Sequence, residues 1–150
     1  MGKSNNGIQI ITIEVVLFDE LAESWGEKAA RHLHFDNGFT LGARHEEQLV
    51  GLISSYWQEL PPPLDKTKEL YIDFLEVRPN SRRLGIANNL IHRTVQLARE
   101  HQAYQVRSWS STDKLEAIQM WKSLGFGLCP ATTYPKGQAV QGFYVCLVVR

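Results

Sequence analysis

The sequence predicts a mixed α/β domain built around one sheet, and three observations carry that expectation. Short stretches rich in β-branched and aromatic residues read as strands, three longer stretches read as helices, and turn residues separate them. With 150 residues, 43% of them hydrophobic, the chain can close one sizeable core without metals or disulfides, so a single domain over 1–150 is expected.

Residues 8–17 (IQIITIEVVL) read as a first strand because of their β-branched side chains. FDELAESWGEKAARHL then reads as a helix with Asp19 as its N-cap. GFTLGARHEEQLVGLISSYWQEL reads as an antiparallel hairpin turning at Glu46 and Glu47. Pro61, Pro62 and Pro63 have no N–H for a ladder, so PPPLDKTK is a loop between strands. ELYIDFLEV is an apolar strand of buried type, and Pro79, Asn80 and Ser81 signal the turn after it. Ala87, Leu90, Ile91, Val95 and Ala98 recur at i, i+3, i+4, i+8 and i+11, which predicts an amphipathic helix to about His101. YQVRSWSS is another strand. Asp113 with Glu116 forms a capping-box signal for a second helix, which Gly125 ends as its C′ residue. FGLCPATTYP and VQGFYVCLVVR give two last strands around Gly137.

Composition excludes several classes. Sixteen basic residues balance sixteen acidic ones, so no global field gathers nucleic acid or an anionic membrane, and any anion site must be local. Two cysteines, Cys129 and Cys146, do not make a disulfide framework, and a reduced, cytoplasmic setting is expected. The start MGKSNNGIQI lacks the apolar stretch of a signal peptide, Asn6 stands where a myristoylation signal wants Ser or Thr, and no apolar run reaches membrane-spanning length. His32 and His34, two apart, do not share a helix face as metal ligands would, and the other histidines are scattered, so no metal site is expected.

One turn carries the expected chemistry. A strand that runs through a short turn into a helix aims unpaired N–H groups and the positive end of the helix dipole at one spot, which suits phosphate. In Arg82-Arg83-Leu84-Gly85-Ile86-Ala87-Asn88, Gly85 removes a Cβ from the path of a pyrophosphate, Ala87 keeps the next turn small, and two arginines add charge. On these grounds alone a scaffold turn with a solvated basic edge fits equally well. The segment lacks the three glycines of a dinucleotide fingerprint and the Gly-Lys-Ser/Thr of a P-loop.

VRPNSRRLGIANNL resembles the coenzyme A signature of the GNAT superfamily, V-x-P followed by R-x-x-G-x-G/A and Leu, through Val77, Pro79, Arg82, Gly85, Ala87 and Leu90. AIQMWKSLGF is similar to the family's A-x-x-x-Y-x-x-x-G-F helix end, with Ala117, Gly125 and Phe126 in place. The resemblance implies a GNAT-like fold: one mostly antiparallel sheet splayed between strands four and five, with helices on both faces. It also implies acetyl-CoA as cofactor, held at residues 82–88 and along the end of strand four at Leu75, Glu76 and Val77. The implied activity is N-acetyl transfer from acetyl-CoA to a small-molecule or peptide primary amine, by direct attack through a tetrahedral intermediate.

The family's usual Tyr, often the acid for the departing thiolate, falls here at Trp121, and the Asn that often precedes it falls at Lys114. An indole N–H donates a hydrogen bond but is too weak an acid to replace a phenol, so Trp121 is expected beside the sulfur as a wall, and Tyr134 is the substitute donor. A thiol with pKa about 8.5 leaves tolerably as thiolate without full protonation. For the amine proton the candidate is Asp73, which period two places on one face of strand four with Tyr71, Leu75 and Val77. A carboxylate inside so apolar a strand is otherwise held in a salt bridge, for which Arg107 is the partner expected. The missing Tyr also favours a second reading, a catalytically silent acyl-CoA-binding or sensing domain. The last strand, FYVCLVV, offers itself for pairing or swapping in a homodimer.

Overall fold

A computed structural model of the chain describes residues 7–150, so the expectations resting on the first six residues, Asn6 included, lie outside the described residues. In chain order the elements are β1 (Ile8–Ile13), α1 (Phe18–Trp25), α2 (Glu27–Ala30), β2 (Gly38–His45), β3 (Gln48–Glu59), β4 (Lys68–Val77), α3 (Ile86–Glu100), β5 (Gln105–Ser111), α4 (Leu115–Ser123), β6 (Gly127–Thr133) and β7 (Val140–Val148). The seven strands form one sheet in the order β1-β2-β3-β4-β5-β7-β6. Every neighbouring pair is antiparallel except β4 and β5.

The parallel pair is also the shortest. Glu69, Leu70 and Tyr71 pair with Gln105, Val106 and Arg107, and beyond that the two strands separate although β4 continues to Val77 and β5 to Ser111. Ser108 Oγ closes the crotch of this fork by donating to the Ile72 carbonyl at 2.9 Å. The mixed α/β fold with a splayed sheet is therefore present as expected.

Two helical layers cover the sheet. On one face α3 buries Ile86, Leu90, Ile91, Val95 and Ala98 against Leu41, Ile53, Leu70, Ile72, Val106 and Val145, and Trp121 and Phe126 complete the same core. Burial of each such aliphatic side chain stabilises the fold by about 1.5–3 kcal/mol, more than helix propensity supplies. On the other face α1 and α2 bury Leu21, Trp25 and Ala29 against Ile13, Leu52 and Phe74. Where β5 and β7 continue that second face, Arg107, Trp109 and Tyr144 lie half-buried.

Several local expectations change. The first strand ends at Ile13, and Val15–Leu17 form a 3₁₀ turn whose Val15 and Val16 are exposed. The helix expected from Phe18 to Leu33 is broken by Gly26, whose φ of 96° no L-residue adopts comfortably, and its N-cap is Leu17 rather than Asp19. Asp113 does not cap α4; Lys114 holds that position while the Asp113 carboxylate accepts a hydrogen bond from Ser111. Gly125 does end the helix with φ 90°. The last strand is not an edge, because β7 is paired on one side with β5 and on the other with β6; Phe143, Val145 and Leu147 face the main core, and the sheet's edges are β1 and β6. No helix among the described residues is long and apolar enough to cross a membrane.

Candidate functional site

The end of β4 delivers the chain straight into the basic turn. Pro79–Ser81 make one 3₁₀ turn, Arg82 is extended, Arg83 has φ 68°, and Gly85 enters the left-handed region at φ 76° as the N-cap of α3. A Cβ built on Gly85 meets nothing within 4 Å, so the glycine answers to backbone conformation and leaves open the space in front of the helix. The first N–H groups of a 15-residue helix have no intrahelical acceptors, and they border that space. Arg82 and Arg83 are exposed, although Arg82 Nε also donates to the Val77 carbonyl at 3.2 Å, which ties the turn back to the strand. Arg78 stacks its guanidinium 3.7 Å over the Trp25 ring and donates to the Ser24 carbonyl at 2.8 Å, fastening the turn to α1.

Within the motif the side chains divide. Ile86 is 2% exposed in the main core, so only its backbone can serve a ligand there, whereas Asn88 is exposed. Leu84 and Ala87 are half-buried against the same core.

The middle of β4 departs from the expected alternation. Ser55 pairs with Ile72 and Ser54 with Phe74, which leaves Asp73 as an extra residue without a partner on β3. Such a bulge unpairs its residue from the ladder and shifts the side-chain phase by one. Leu70 and Ile72 face the α3 side, as do Leu75 and Val77 after the bulge, while Phe74 joins the core beneath α1 and α2. Tyr71 and Asp73 therefore share a face, as the sequence suggested, but Leu75 and Val77 do not share it with them.

Asp73 is held by residues other than the one expected. His34 Nε2 lies 2.8 Å and His32 Nδ1 3.1 Å from its Oδ2. Arg107 instead grips Glu69, through Nε to Oε1 at 2.9 Å and Nη2 to Oε2 at 2.6 Å, with Gln105 Nε2 adding a third bond at 2.9 Å. Glu69 is fully buried; burial alone would raise its carboxyl, but the bonds from Arg107 and Gln105 hold it below the usual carboxylate value. The same bonds raise the Arg107 guanidinium above its ordinary value. Arg107 sits between two rings, 4.8 Å from Tyr71 and 4.9 Å from Tyr144, and Tyr71 lies 5.4 Å from Tyr56. Burial pushes the Tyr71 phenol up to about 12, and Tyr56 is raised by burial and then by the Asp73 charge, so both stay protonated at neutral pH. The Trp109 ring extends this floor by lying over Gly142, where a Cβ would come within 2.6 Å of it.

The floor, Asp73 and the fork are thus contiguous, and the basic turn lies at the far end of the same strand. Trp121 is 3% exposed and packs edge-on against Phe126, with ring centroids 4.8 Å apart, inside the main core. Tyr134 is 67% exposed, in the turn that follows β6. Glu76 is half-buried on the part of β4 past the fork, where β5 no longer pairs with it. Among the described residues no group of three or more His, Cys, Asp or Glu side chains is arranged to hold a metal.

Sequence reasoning missed His32 and His34 because it tested them as a helical pair. They lie on the irregular segment after α2, where residues two apart point the same way and the buried Leu33 between them points inward. The legible signal was the His-Leu-His alternation itself.

The acetyltransferase (GNAT) family model matches residues 10–126. No curated protein matches the sequence significantly. Among solved structures the chain is similar to Arabidopsis thaliana NAA60 in complex with acetyl-CoA, at 16% identity and TM-score 0.77, over 94% of this chain and 99% of that one. It is also similar to the ribosomal-protein-S18-alanine N-acetyltransferase of Escherichia coli, at 14% identity and TM-score 0.74, over 95% and 94% of the two chains. Arabidopsis thaliana Naa50 in complex with the bisubstrate analogue CoA-Ac-MVNAL matches at 16% identity and TM-score 0.71, over 92% and 97%. At these identities the likeness is one of fold.

Proposed function

The chain belongs to the GNAT acetyltransferase family, and from that premise we propose that it transfers an acetyl group from acetyl-CoA to a primary amine of a small molecule or peptide. The observation that carries this reading is the forked strand: β4 ends in a basic, open helix N-terminus and carries, at its bulge, a half-exposed carboxylate on an aromatic floor.

The residues present fit acetyl-CoA. A Cβ at Gly85 would occupy otherwise open space before α3, and Arg82 and Arg83 stand beside it to meet phosphate charge. Ile86 and Asn88 contribute backbone N–H groups, and Leu84 and Ala87 close the cradle with small or apolar surface. Past the fork, Leu75, Glu76 and Val77 have no β5 partner, which leaves a strand edge for an extended arm to pair with. Acetyl-CoA supplies the thioester carbonyl, which the amine attacks to give a tetrahedral adduct that collapses to amide and thiolate.

On the acceptor side Asp73 takes the proton that the nitrogen sheds as it becomes an amide. The bulge leaves backbone there out of the ladder, a source of N–H for a developing oxyanion. Trp121 acts by shape from within the core, and the thiolate departs without a dedicated acid. The structures of similar fold include complexes with acetyl-CoA and with a peptide-like bisubstrate analogue, which agrees with this assignment of cofactor and acceptor class.

The test is to incubate the pure protein with acetyl-CoA and a panel of amines, peptide N-termini included, while following free thiol. Amine-dependent thiol release is expected. Tight coenzyme A binding with no release for any amine would support the silent binding domain instead.

A further inference from the structure

Asp73 stands half-exposed on the face that carries Tyr56 and Tyr71, and a half-exposed carboxylate is mobile about two side-chain torsions. Its surroundings remove that freedom. Both imidazoles converge on Oδ2, whereas Oδ1 makes no hydrogen bond within the described residues. His34 is in turn fixed through its backbone: its N–H donates to Ser54 Oγ at 2.7 Å and its carbonyl accepts from Thr40 Oγ1 at 2.9 Å. Thr40 and Ser54 are fully buried, paired across β2 and β3, and hydrogen-bonded to each other at 2.8 Å. Ser54 is also the β3 residue next to the bulge that presents Asp73. One buried serine therefore sets both the segment that carries His34 and the strand that carries Asp73.

Burying two hydroxyls and spending both on the backbone of one exposed segment is a costly way to end a helix unless that segment must be held in place. His34 is 26% exposed and Asp73 24%, so the contact stands at the rim of the cleft rather than in the core. His32, 49% exposed, adds a looser second hold. The other charged or titratable groups that face the cluster are Tyr56 and Tyr71, both protonated at neutral pH, and Arg107, whose charge Glu69 meets.

We infer that His34, seconded by His32, is a positioning residue for acetyl transfer: it fixes the Asp73 carboxylate by Oδ2 so that Oδ1 is presented to the acceptor amine. This rests on the reading of Asp73 as the proton acceptor. As the nitrogen lone pair forms the N–C bond, its proton passes to Oδ1; the C–S bond then breaks with its electron pair on sulfur, and Asp73 returns the proton to water. In the neutral imidazoles the proton must lie on Nε2 of His34 and on Nδ1 of His32, since each donates to Oδ2.

Two measurements test it. Steady-state kinetics on one accepted amine should show His34→Ala lowering kcat at least about tenfold with KM for acetyl-CoA unchanged, and His34→Gln, whose amide reproduces the Nε2 donor, recovering most of that loss. Full activity in His34→Ala, or His34→Gln no better than His34→Ala, would overturn the inference. Independently of turnover, nitrogen-15 NMR of the histidine rings at pH 8 should show His32 protonated on Nδ1 and His34 on Nε2, and this pattern should be lost in Asp73→Ala. The same tautomers with and without Asp73 overturn the inference whether or not any amine is acetylated, whereas absence of thiol release in the parent protein would sink the proposed activity and leave the NMR result to decide the cluster.

Discussion

The basic turn and the acceptor cluster are the two ends of one working strand, yet they are built in opposite ways. The turn is a continuous stretch from Arg82 to Asn88 whose proposed ligand contacts are mostly backbone, so its demands fall on neighbouring positions and leave a readable pattern. The cluster draws His32 and His34 from the segment after α2, Asp73 from β4, and Glu69 and Arg107 from β4 and β5, so nothing in any one stretch announces it. A site made by backbone imprints a motif; a site made by convergent side chains is visible only once the chain is folded.

The contrast is broken most severely at its foundation. Glu69→Ala leaves the half-buried Arg107 guanidinium without its carboxylate, and removing one partner of such a pair costs about 3–5 kcal/mol. At about 2–4 °C per kcal/mol for a chain of this size, a large fall in Tm is expected by calorimetry. Because Glu69 ionises more readily folded than unfolded, its contribution is fully present above the ordinary carboxylate value and is lost as pH falls through the folded one. The parent protein should therefore lose Tm on acidification and the variant should lose less; parallel curves would mean the pair contributes nothing.

Gly85→Val attacks the other end. A β-branched residue at φ 76° is strained and fills the space before α3, so coenzyme A affinity by titration calorimetry should fall at least about a hundredfold, roughly 2.7 kcal/mol, with thermal stability falling much less. Unchanged affinity would remove the turn from the cofactor site.

Asp73→Asn sharpens the comparison because it should separate the two ends kinetically. It is expected to lower kcat/KM for the amine by about tenfold or more while coenzyme A affinity stays intact. An equal loss at both ends would mean that the bulge, and not the carboxylate, is what matters.

Trp121→Phe should do least. The indole is a packed ring, and with the aromatic contact to Phe126 kept the rate should fall less than about fivefold, with a small drop in Tm. A thousandfold loss with unchanged stability would return a chemical role to the indole.

The same division explains what the sequence made legible. All seven strands and both long helices were recoverable from periodicity and turn residues, because each is a local pattern. The break at Gly26 was not, since one glycine inside an apolar-periodic stretch is compatible with a continuous helix. Nor was the bulge at Asp73: the stretch from Tyr71 to Val77 is apolar on both faces, so alternation carries no phase there, and only pairing with Ser54 and Ser55 fixes it. Arg107 was expected to meet Asp73, yet parallel pairing sets it opposite Tyr71, from where its side chain reaches Glu69, a choice of partner that depends on register.

That extra residue makes β4 behave under substitution as two strands spliced out of step. Before the splice the even positions, Leu70 and Ile72, are the ones the core cannot spare; after it the odd ones, Leu75 and Val77, take over. Deleting Asp73 would leave Ile72 opposite Ser55 and Phe74 opposite Ser54, a regular ladder in which Leu70, Ile72, Leu75 and Val77 keep the α3 side and Phe74 the other, so the carboxylate is lost and the anchors are not. The extra residue is thus not what holds the two halves of β4 to their cores, which their pairing with β3 already does; it is a single added position whose side chain can serve something other than the ladder.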